Sequence, residues 1–122
     1  MDQINSKDEL INYFKKSCKK KNELNIGVEH EKFLFNNDIR VDFKKMLEIF
    51  SFLEQFGWKP IKEKNNTIAL IKDKKSITLE PGNQIELSGA PLKSIHLNCN
   101  ESYQFLNELK KACSSLNIKM MS

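Results

Sequence analysis

Glu29 and Glu31 stand two residues apart in an alternating stretch, Ile26-Gly27-Val28-Glu29-His30-Glu31. Alternate residues of a strand point to opposite faces, so these carboxylates share one face, their Cα atoms about 6.6 Å apart at ~3.3 Å of rise per residue. A second alternating run sets Gln84, Glu86 and Ser88 against Ile85 and Leu87, and Glu80 lies just before a Pro81-Gly82 break. Adjacent carboxylates repel unless a cation lies between them, and Glu is a poor strand former. Oxygen ligands without His or Cys favour Mg²⁺ or Mn²⁺. Mg²⁺ bound by few carboxylates completes its shell with water and substrate phosphates, which points to nucleotide-dependent chemistry rather than a structural metal. By spacing alone, an acidic solvated sheet face with no ion explains the pattern equally well.

The elements that must position these residues can be read along the chain. Ser6-Lys7-Asp8-Glu9 has the form of a capping box opening a first helix, with Leu10, Ile11, Phe14 and Cys18 at helical spacing. Leu24 to Phe35 reads as a strand ended by the turn residues Asn36-Asn37-Asp38. Asp42 caps a second helix whose core stripe is Phe43, Met46, Leu47, Phe50, Leu53 and Phe56, and Gly57 stops it. Thr67–Ile71 and Ser76–Glu80 form an antiparallel hairpin across Lys72–Lys75, and Gln84–Ser88 follows as a third run. Asn98 and Glu101 resemble a capping box for a third helix buried through Phe105, Leu106, Leu109, Ala112, Cys113 and Leu116, and Ile118–Met121 begins another strand. The expected class is α+β, an antiparallel sheet with helices packed on one face.

Composition bounds the rest. A chain of 122 residues, 39% hydrophobic and 30% charged, is long enough for one domain, residues 1–122, and too rich in apolar residues for a disordered one. No apolar run spans a bilayer, and Met1-Asp2-Gln3-Ile4-Asn5 lacks the layout of a signal peptide, so a cytoplasmic protein is the default. Cys18, Cys99 and Cys113 form no metal-type pair and read as reduced thiols, at least two of them packed on helices. The net charge of +4 owes much to Lys15, Lys16, Lys19, Lys20 and Lys21, a cluster without interleaved aromatics, read as a solvated helix face rather than a nucleic-acid site.

Two longer blocks carry more than spacing. Ile26-Gly27-Val28-Glu29-His30-Glu31-Lys32-Phe33 resembles the first active-site strand of the plant and proteobacterial glutamate–cysteine ligases. The segment Ile77 to Pro91, with Leu79-Glu80-Pro81-Gly82-Asn83-Gln84-Ile85-Glu86-Leu87-Ser88-Gly89-Ala90 at its centre, is similar to that family's longest signature. Phe56-Gly57-Trp58, Ile68-Ala69-Leu70 and Ile95-His96 fall in the same order, and the resemblance runs from about Leu24 to Met121.

The resemblance implies part of a glutamine-synthetase-like catalytic domain. In that fold an antiparallel sheet holds Mg²⁺ ions (or Mn²⁺) and ATP, and L-glutamate is joined to L-cysteine through a γ-glutamyl phosphate. It implies Glu29, Glu31 and Glu86 as metal ligands. Gln84, Ser88 and Gly89 would belong to the substrate and ATP pocket, and Glu80, Pro81 and Gly82 would support the turn. No residue is implied with certainty as catalytic. The family's domain continues well beyond this length, so a missing C-terminal part would bring the cationic groups for phosphate and carboxylate, and this chain is expected to be inactive alone. Asn83 departs from the family's Gly-Gly, a change Asn can tolerate at positive φ, and Leu34 stands where a smaller residue is usual.

Other residues have plainer readings. His30 points away from the acids as a core histidine, His96 sits in the loop before the third helix, Trp58 anchors the core, Cys99 is inert and Lys32 is solvated. Three alternatives stay open: a γ-glutamyl ligase with another amine acceptor, a non-catalytic truncated remnant, and a small basic nucleic-acid-binding module.

Overall fold

The computed structural model describes residues 3–121; Met1, Asp2 and Ser122, on which part of the N-terminal reading rests, lie outside the described residues. The elements in order are α1 (Lys7–Ser17), a 3-10 turn (Lys21–Glu23), β1 (Glu29–Asn36), β2 (Ile39–Arg40), α2 (Phe43–Glu54), β3 (Lys59–Glu63), β4 (Asn66–Lys72), β5 (Lys75–Glu80), β6 (Gln84–Ser88), α3 (Ile95–Ser115) and β7 (Lys119–Met121). The strands form one antiparallel sheet in the order β2-β1-β6-β5-β4-β3, with β7 paired to β1. This is the expected α+β class.

One sheet face carries the core. Leu34, Leu70, Ile77, Ile85 and Leu87 pack there against Met46, Ile49, Phe50 and Leu53 of α2 and Phe105, Leu109, Ala112 and Cys113 of α3. Asp42 caps α2 by accepting from the Lys45 amide at 2.8 Å. Gly57, at φ +88°, ends its trailing turn in the left-handed region where the missing Cβ removes the penalty. Within α2 the buried set is Met46, Ile49, Phe50 and Leu53, while Phe43 is exposed.

Several boundaries differ from expectation, each for a local reason. β1 begins at Glu29, because Leu24–Val28 forms only a single bridge, Ile26 to Leu92. α3 starts at Ile95 under Ser94, whose hydroxyl accepts from the Leu97 amide, so His96 is in the first helical turn and Asn98 is a buried helix residue. Ser6 caps α1 as read, but Glu9 reaches the Asn5 amide rather than completing the box. No residue of α1 is buried, so its apolar stripe forms no part of the core. Cys18, at the end of α1, and Cys99, on the outer side of α3, are exposed, and only Cys113 is a helix-packing thiol, its pKa pushed up to about 11 by burial. Leu34, 1% exposed, fills the core, which explains a larger residue there.

Candidate active site

The other sheet face holds the acids. β1 and β6 pair with Glu29 opposite Ser88 and Glu31 opposite Glu86, and β6 and β5 pair with Glu86 opposite Thr78 and Gln84 opposite Glu80. Alternation from the core residues Leu34, Ile85 and Leu87 puts all of these side chains on the face away from α2 and α3. Glu86 is the centre of the group, 8% exposed, and accepts a 2.7 Å hydrogen bond from the Ser88 hydroxyl. Glu29, Glu31 and Glu80 are exposed around it.

The electrostatics record the crowding. The charge of Glu86 is the main influence raising the Glu80 pKa, followed by desolvation, a side-chain hydrogen bond with Glu86 and the charges of Glu31 and Glu29. Glu80 thus joins the acidic group as a fourth carboxylate as well as preceding the turn. No three His, Cys, Asp or Glu side chains among the described residues close on one point fit for a metal ion. The donor chemistry, oxygen atoms from four carboxylates and a hydroxyl, suits a hard cation, and the carboxylates would have to rotate inward to share one.

The supporting turn is built as its residues require. Gly82 and Asn83 take φ +79° and +59°, so Asn83 accepts the left-handed conformation in place of glycine. Its side chain also donates to the Val41 carbonyl at 3.1 Å, and Arg40 donates to the Gly82 carbonyl, docking the turn onto β2. Gln84 lines a shallow depression with Glu31, Lys32 and Phe33. Ser88 and Gly89 line another with Gly27, Val28 and Glu29.

Gly89 has a steric reason to lack a side chain. A Cβ there would lie 2.6 Å from Glu101 Oε2 and 2.8 Å from the Val28 carbonyl oxygen. Glu101 uses that space to accept from the Ala90 amide at 2.9 Å, and Lys75 faces it at 3.6 Å. A parallel network joins Trp58 Nε1 to Glu108 at 2.7 Å, with Lys72 at 3.4 Å and Gln104 at 2.9 Å. Trp58 is buried as expected. His30 does face the helices, edge-on to Phe105 at 6.3 Å, but its buried Nε2 finds no partner among the described residues, and burial followed by the Lys32 charge lowers its pKa. Lys32 is half-buried rather than fully solvated.

Sequence reading missed Arg40. Asn37 and Asp38 both have positive φ, +48° and +65°, so they make the tight hairpin that returns Arg40 opposite Phe35. Asn37-Asp38 was the available signal: read as a two-residue hairpin turn, it places Arg40 on the face of Phe35, Phe33 and Glu31.

The fold and face define a class: an α+β domain whose open antiparallel sheet presents a row of carboxylates away from its helices. Comparison with known proteins makes this specific. The family model of Glutamate-cysteine ligase family 2 (GCS2) matches residues 25–122. The chain is 40% identical over 116 residues to "Glutamate--cysteine ligase A, chloroplastic" of Oryza sativa subsp. japonica, covering 93% of this chain and 24% of that protein. It is 39% identical over 116 residues to the chloroplastic enzyme of Medicago truncatula (93% and 23%) and 38% over 116 residues to that of Arabidopsis thaliana (93% and 22%). The chain belongs to the glutamate–cysteine ligase family 2 and spans about a quarter of the length of these relatives. Their names also correct the cytoplasmic expectation, since these relatives are chloroplastic.

Proposed function

We propose that this chain supplies the metal-facing acidic sheet for ATP-dependent ligation of L-glutamate to L-cysteine through a γ-glutamyl phosphate, the first step of glutathione biosynthesis. The observation that carries the reading is the register: Glu31 directly faces Glu86, with Glu29 and Glu80 adjacent on one open face. Like charges directly opposite in a sheet are destabilising, so a fold that keeps them has a use for the repulsion. Glu29, Glu31 and Glu86 would hold Mg²⁺ (or Mn²⁺), which when bound screens and orients phosphate charge. The Ser88 hydroxyl fixes the Glu86 carboxylate for that role, and Gln84, beside Glu31, offers an amide to a substrate oxygen. Ser88 and Gly89 form one wall of the depression next to Glu29. The remaining groups of the reaction would come from the sequence that the longer relatives possess, and on its own this chain would not turn over.

Metal binding is the direct test. Titrate the chain with Mn²⁺ by electron paramagnetic resonance, then repeat with Glu31→Gln and Glu86→Gln. Each variant is expected to lose about tenfold or more in affinity, since even outer-shell changes cost that much. Equal affinity in the wild type and both variants would remove the metal assignment.

A further inference from the structure

Resting on the reading above, we propose that Arg40 is an oxyanion-binding residue of the same site, placed to take a phosphate or carboxylate oxygen of a substrate lying along the acidic row. Arg40 pairs opposite Phe35, so its side chain leaves the sheet on the face of Glu29, Glu31 and Phe33. The guanidinium carbon lies 4.2 Å from the centre of the Phe33 ring and 5.9 Å from that of Phe35. Such stacking holds the planar group while leaving its edges open. One donor is spent on the Gly82 carbonyl. Among the described residues Arg40 makes no ion pair, although four carboxylates share its face.

A cation so close to an acidic group would ordinarily be consumed by it. Here Phe33 stands between Glu31 and Arg40, and the Gly82 carbonyl draws the guanidinium toward the Pro81-Gly82-Asn83 turn. The geometry therefore separates a negative centre on β1 and β6, suited to a cation, from a positive one on β2, suited to an anion, on a single sheet face. Glu31 and Phe33 are two residues apart, about 6.6 Å along β1 at ~3.3 Å per residue. A metal-bound polyphosphate offers both metal-coordinating oxygens and further anionic oxygens, so it can engage both centres. The planar fork of Arg presents paired donors that match phosphate and carboxylate alike, which a lysine does not. Gly82 is part of the device, because a Cβ at that residue would lie 3.2 Å from the Arg40 terminal nitrogen.

The test uses the ¹⁵N-labelled chain and watches the Arg40 side-chain Nε–H resonance. Sodium tripolyphosphate and L-glutamate are titrated separately, at low salt and with sodium chloride controls. A saturable shift with tripolyphosphate assigns a phosphate, and one with glutamate assigns a carboxylate; both support the proposal. Arg40→Lys should bind the responding anion about tenfold more weakly, one charge-assisted hydrogen bond's difference. Phe33→Leu, which removes the stacking platform and leaves the charge, should weaken it in the same direction. No shift at Arg40 with either anion, or equal affinity in R40K and R40A and the wild type, would overturn it. Mn²⁺ broadening of Glu29, Glu31 and Glu86 resonances in separate, anion-free samples reports on the metal reading independently, so the two failures are distinguishable.

Discussion

Glu80 shows what the acidic face costs the folded chain. Its pKa is raised chiefly by Glu86, so the native state holds the Glu80 proton more tightly than the unfolded chain does. A group with a raised folded pKa stabilises fully below its unfolded value, and that contribution disappears as pH rises through the folded value. The chain is therefore expected to lose stability as pH climbs from the ordinary carboxylate range, with the loss complete once Glu80 ionises. Thermal midpoints measured across that window should show it, and Glu80→Gln should flatten the profile and raise the midpoint at neutral pH. A wild-type midpoint that climbs steadily through the same window in metal-free buffer contradicts the assignment. Glu31→Gln should act likewise, gaining roughly 0.2–1 kcal/mol by removing a like-charge cross-strand pair while losing metal affinity. Opposite movement of stability and Mn²⁺ affinity is the signature of a functional carboxylate.

Gly89 couples an element pair rather than acting alone. The end of β6 is tied to α3 through Glu101, whose carboxylate occupies the space a side chain at Gly89 would need. Gly89→Ala should cost about 1–3 kcal/mol by overpacking, read from urea unfolding at unchanged slope. Adding Glu101→Ala should restore only part of it, because the Val28 carbonyl still sits 2.8 Å from the new Cβ. At the opposite extreme, α1 has 11 residues and none buried. Helices that short are marginal in water without packing. Removing residues 1–18 is expected to change unfolding free energy by less than about 0.5 kcal/mol, and α1 amides should exchange far faster than those of α2. The same contrast explains what the sequence disclosed. Gln84–Ser88 and the α2 stripe were legible because alternation and the 3.6-residue period are local signals. β2 is two residues long and β3 carries Pro60 among lysines and Glu63, so ladder partners rather than their own propensity make them strands. The acid row was legible from Glu29, Glu31 and Glu86, but the place of Arg40 on the same face follows from the β1–β2 register, and the tie of Glu101 to the end of β6 follows from packing on the other face, neither of which a single segment announces.

Taken together, the acidic face of the folded chain is open to solvent. Glu29, Glu31 and Glu80 are exposed, and Ile61 and Ile71, which share their face through the β3–β4–β5 register, are 39% and 40% exposed. Phosphoryl transfer depends on fixed cationic partners and on a site from which bulk water is excluded, because electrostatic stabilisation weakens sharply in a high dielectric. An uncovered sheet face satisfies neither condition, and Arg40 is one cation where a transferring phosphoryl group takes several. The chain also spans about a quarter of the length of its ligase relatives. The expected outcome is that Mg²⁺, ATP, L-glutamate and L-cysteine added to this chain release no ADP above the protein-free control, while Mn²⁺ still binds and Glu31→Gln still weakens it. Robust turnover without any other protein would overturn the prediction and show that the exposed face closes by itself, through self-association or a rearrangement that buries Ile61 and Ile71. A concentration series would then separate the two, since turnover per chain rises with concentration only when a second copy provides the cover.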